Sequence, residues 1–146
     1  MIENKLNQLI EIINLEKEKM EKSYTYFSED EMYKKVLLKY KDLLDCLKTK
    51  NCTQIFDFLK NLIEILKSII NKCSNPKQIV STFDVVVDTQ TTEIESAYEL
   101  NEYFNIVFYL YNLFLNRDFN RSDSLKYSFS IENLENILNK CKETLK

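Results

Sequence analysis

The sequence predicts an all-α fold, a single domain over residues 1–146 built as a bundle of five long helices with a short sixth. Three observations point there. The 146-residue chain has no glycine and one proline, Pro76, so it lacks the default residue for the positive-φ turns that tight β-hairpins need. Apolar residues recur at three- and four-residue intervals along most of its length. Capping boxes, a hydroxyl residue followed three positions later by Glu, mark helix starts at Ser28–Glu31 and Thr92–Glu95. A hydrophobic content of 45%, with nine Phe and nine Tyr, supplies one dense core for a chain of this length.

The first helix, 2–27, carries Leu6, Ile13, Met20 and Phe27 at seven-residue spacing, with Ile2 and Leu9 at the alternate sites. The charged stretch EKEKMEK (16–22) flanks a narrow apolar seam, which suits packing on its own bundle or pairing with a second copy of the chain. The second helix, 29–49, puts Tyr33, Val36, Leu37, Tyr40, Leu43, Leu44 and Leu47 on one face. The third, 53–73, has a wider face made by Ile55, Phe56, Leu59, Leu62, Ile63, Leu66, Ile69 and Ile70. A break follows at Cys73-Ser-Asn-Pro-Lys77, where Asn75 caps a short helix over 76–82 with Pro76 in its first turn. The β-branched residues that follow, including Val85, Val86 and Val87, read as an extended linker, because a lone strand would have no partner. The next helix spans 93–116. Ser130 caps the last, 130–145, with Leu134, Ile137, Leu138, Cys141 and Leu145 facing inward.

The helix over 93–116 contains thirteen uncharged residues, Tyr103 to Leu115, six of them aromatic. A membrane-spanning helix needs about 20 consecutive apolar residues, so this run is too short and no membrane association is expected. Its apolar residues cover most of the circumference and leave Asn101, Asn105, Asn112 and Asn116 as a polar seam. A helix of that kind is surrounded by its neighbours.

Several chemistries are absent from the residue inventory. With no histidine, Ser–His and Cys–His nucleophilic centres and Glu-x-x-His di-iron sites cannot form. The cysteines at 46, 52, 73 and 141 form no Cys-x-x-Cys pair, so no zinc site is expected. No cofactor is expected either. The amino terminus is interrupted by charge and has no apolar core of an export signal, so the expected compartment is the cytoplasm of a cell or an infected host, with reduced thiols. Acid pairs one helical turn apart occur at Asp42/Asp45, Glu99/Glu102 and Glu132/Glu135. In spacing these resemble the all-helical nucleotide pyrophosphatases, which implies Mg²⁺-dependent hydrolysis of a nucleotide, although that group's surrounding basic and aromatic pattern is missing here.

Twenty basic and 23 acidic side chains leave a net charge of −3, too little to define a polyanion mimic or a polycation binder, so local distribution carries the argument. No basic residue lies between Lys77 and Arg117, whereas Asp84, Asp88, Glu93, Glu95, Glu99 and Glu102 all do. Dipole complementarity accounts for acids in the first turn only. Asp84, Asp88, Glu95, Tyr98, Glu99, Glu102 and Tyr103 therefore form a candidate docking face for a partner protein with a basic surface. The opposite sign appears on the second helix, where Lys34, Lys41 and Lys48 repeat every seven residues beside Lys35 and Lys39. Joined by Arg117 and Arg121, these are the candidate contacts for nucleic-acid phosphates. The leading expectation is a non-enzymatic protein-binding module, an inhibitor, immunity factor or adaptor of the kind phages and viruses encode. A nucleic-acid-associated subunit and a carboxylate–metal hydrolase are the alternatives.

Overall fold

A computed structural model describes residues 2–27, 31–72, 91–119 and 131–145. Among these residues the chain is all-helical, with five helices and no strand: α1 (Ile2–Phe27), α2 (Glu31–Lys48), α3 (Cys52–Lys72), α4 (Thr91–Phe114) and α5 (Ile131–Glu143). The expected boundaries hold to within two residues at each end. The expected short helix at 76–82 and the caps Ser28, Asn75 and Ser130 lie outside the described residues.

Side-chain contacts set the topology. Glu3 near the start of α1 pairs with Lys50 just past the end of α2, and the Tyr33 hydroxyl donates to the backbone oxygen of Met20, so α1 and α2 are antiparallel. Tyr33 stacks on Tyr98 at 6.3 Å, which sets α4 parallel to α2. Phe56 meets Phe114 edge-on at 6.2 Å, so α3 runs against α4. Lys67 of α3 reaches Glu135 of α5 at 3.2 Å, and α5 consequently runs against α3.

The aromatic helix is the hub. α4 touches each of the other four helices, and from Tyr103 to Phe114 every residue except Asn105 is buried. One core cluster takes in Leu9 and Ile13 of α1, Tyr40 and Leu47 of α2, Leu59 and Ile63 of α3, and Leu134 and Cys141 of α5 around it. The uncharged run is thus spent on neighbours. No helix among the described residues is long and apolar enough to cross a membrane.

The turns show how a chain without glycine ends its helices. Asn116 (φ 54°) and Lys50 (φ 54°) occupy the left-handed region usually given to glycine. At α4 the Arg117 amide donates to the Asn112 carbonyl at 2.8 Å and the Asn116 amide to that of Leu113, which completes a Schellman cap. Asn tolerates this conformation better than Lys. After Lys50, the Asn51 side chain accepts from the Gln54 amide at 3.1 Å, capping α3 at Cys52 and starting it one residue earlier than its periodicity suggests. α4 begins at Thr91, so Thr92 lies within its first turn and not at the cap position. Leu145 is a correction: it is 38% exposed. The Thr144 hydroxyl and amide both bond the Cys141 carbonyl, ending α5 and turning Leu145 off the core face.

Candidate partner-binding surface

The acidic face of α4 is tied into the bundle. Tyr40, fully buried on α2, donates its hydroxyl to Oε2 of Glu102 at 2.9 Å. Tyr103 is only 3% exposed. Burial, the Glu99 charge and a hydrogen bond to Glu99 raise its phenol above the ordinary 10.0. Tyr98 is half-buried against Tyr33. The Lys39 ammonium lies over the Phe58 ring at 5.8 Å and the Tyr103 ring at 6.0 Å, so α2 supplies a cation beside a segment that has none. Glu99 and Glu102 therefore remain partly open to solvent while their oxygens serve tyrosines of the same chain. Glu95 falls in the second turn of α4 with its side chain outside the described residues, as are Asp84 and Asp88 entirely.

The lysines of α2 do not form one patch. A helix turns 100° per residue, which sends Lys34, Lys41 and Lys48 toward the α1 side and Lys35 and Lys39 toward the α3 side. Lys34 pairs with Glu31 at 3.3 Å, and Lys39 sits among aromatic rings. Arg117 lies at the far end of the bundle, its guanidinium over the Tyr111 ring at 4.5 Å. Lys5 reaches the carbonyl of Arg117 and the carboxylate of Asp118 there. Arg121 lies outside the described residues.

The acid pairs are likewise dispersed. Asp42 and Asp45 point to solvent on α2, Glu99 and Glu102 bind tyrosines, and Glu135 is engaged by Lys67. Among the described residues no group of three His, Cys, Asp or Glu is placed to hold a metal. Burial pushes the Cys141 thiol from its ordinary 9.0 up to about 12, against a smaller lowering by Arg117. Burial and the Asp57 charge raise Cys46 as well.

What the sequence reading missed is a groove of about 540 Å³ between α1 and α2, lined by Glu21, Lys34, Leu37, Leu38 and Lys41. Leu37 is buried, whereas Leu38 is 58% exposed. The signal was present: in the run Val36-Leu37-Leu38, Leu38 falls about 160° from Tyr40 on the helical wheel, off the core face.

A family model described as Parkin co-regulated protein matches residues 26–146. No curated protein and no solved structure matches the chain. The matched stretch begins near the end of α1 and takes in α2, α3, α4 and α5, the helices that enclose the aromatic hub. On that match the chain belongs to the Parkin co-regulated protein family.

Proposed function

We propose that this chain is a protein-binding module of the adaptor or inhibitor type, which engages its partner through the outer face of the α1–α2 pair. The observation that carries this reading is Leu38. The described core is closed and its aromatics are covered, yet this leucine stands 58% exposed at the edge of an open groove with lysines on either side. Contiguous apolar surface set in a polar rim marks interaction surfaces, and the groove beside Leu38 sets it apart from Leu15 of α1, which is 54% exposed and not among the groove's lining residues. Glu99 and Glu102 of α4 support a structural role instead, since tyrosine hydroxyls from within the bundle already bond them. The division of the α2 lysines between two sides of the helix favours a protein partner over a nucleic-acid backbone, which rewards a continuous basic track. Action in the cytoplasm belongs to the same proposal, supported by the half-exposed thiols of Cys46 and Cys52, which suit a reducing compartment.

The test is Leu38→Asp in the full chain, expressed in its native cells and recovered with whatever it carries. Removing a side chain that is already solvent-facing leaves the melting temperature unchanged, and the co-purifying protein is lost. Retention of the same protein by a folded Leu38→Asp chain refutes the proposal.

A further inference from the structure

We draw no further inference here: the strongest candidate, the outer α1–α2 groove beside Leu38, belongs to the surface already described, and nothing in the structure shows what covers it.

Discussion

Tyr40→Phe tests whether the acidic end of α4 belongs to the fold. The substitution keeps the ring and removes one hydroxyl, which is buried and lies 2.9 Å from Oε2 of Glu102. A hydrogen bond to an ionised partner contributes about 1.5–3 kcal/mol. Glu102 is half-buried, so water recovers part of its hydration in the variant, and a loss of about 1.5 kcal/mol is expected. With a urea slope of roughly 1.5 kcal/mol per molar, that is a shift in midpoint of about 1 M at constant slope. Glu102 has further contacts beside this one, so single-variant losses overstate the pair. A double-mutant cycle with Glu102→Ala isolates it and should return a coupling of about 1 kcal/mol. A Tyr40→Phe chain within about 0.3 kcal/mol of the parent, with no coupling to Glu102, would refute the reasoning, because the hydrogen bond would then contribute nothing to the fold.

Other variants probe the helix ends and the core. The Asn112 side-chain oxygen is buried without a partner among the described residues, so Asn112→Leu should raise stability by about 1–2 kcal/mol in the same urea assay. Lys50 holds a left-handed backbone, and Lys50→Gly should gain about 0.5–1 kcal/mol after the added unfolded-state entropy of glycine is counted. Asn51→Ala removes the α3 cap and should cost about 1 kcal/mol. Cys141 gives a pH signature. Its folded pKa, about 12, lies above its ordinary 9.0, so its contribution is intact below pH 9 and is lost as pH rises toward 12. Tyr103, also raised, acts in the same direction above its ordinary 10.0. Thermal melts of Cys141→Ala should show a shallower alkaline fall than the parent, and an unchanged slope would show that the thiol is not the titrating group.

The helices were legible because each carries its own periodic face. Leu6, Leu9 and Ile13, or Ile55, Leu59, Leu62 and Leu66, record burial locally, whatever they pack against. The centrality of α4 could be read from its all-round apolar surface. Leu145 misled, since its spacing fits the α5 stripe while the Thr144 hydroxyl ends the helix before it. The site was harder, because a charge seen in sequence does not say where its counter-group sits. Glu99 and Glu102 looked uncompensated when only charged neighbours were counted. Their partners are the neutral hydroxyls of Tyr103 and Tyr40, the latter 62 residues away from Glu102. Lys34 and Lys39 looked like one patch because they lie only five positions apart in sequence, and the helix rotates them onto different sides. The α1–α2 groove requires knowing which edge of α2 meets α1, and that is a tertiary fact.

The central claim is that the outer α1–α2 face binds protein while the acidic end of α4 holds the fold. Recovery of the native partner by Leu38→Asp and by Glu102→Gln, each measured beside its melting temperature, tests both halves at once. The account predicts that Leu38→Asp melts like the parent and loses the partner, and that Glu102→Gln, even where its melt is lowered, keeps it. A folded Leu38→Asp chain that keeps the partner, or a fully stable Glu102→Gln chain that loses it, would contradict the account.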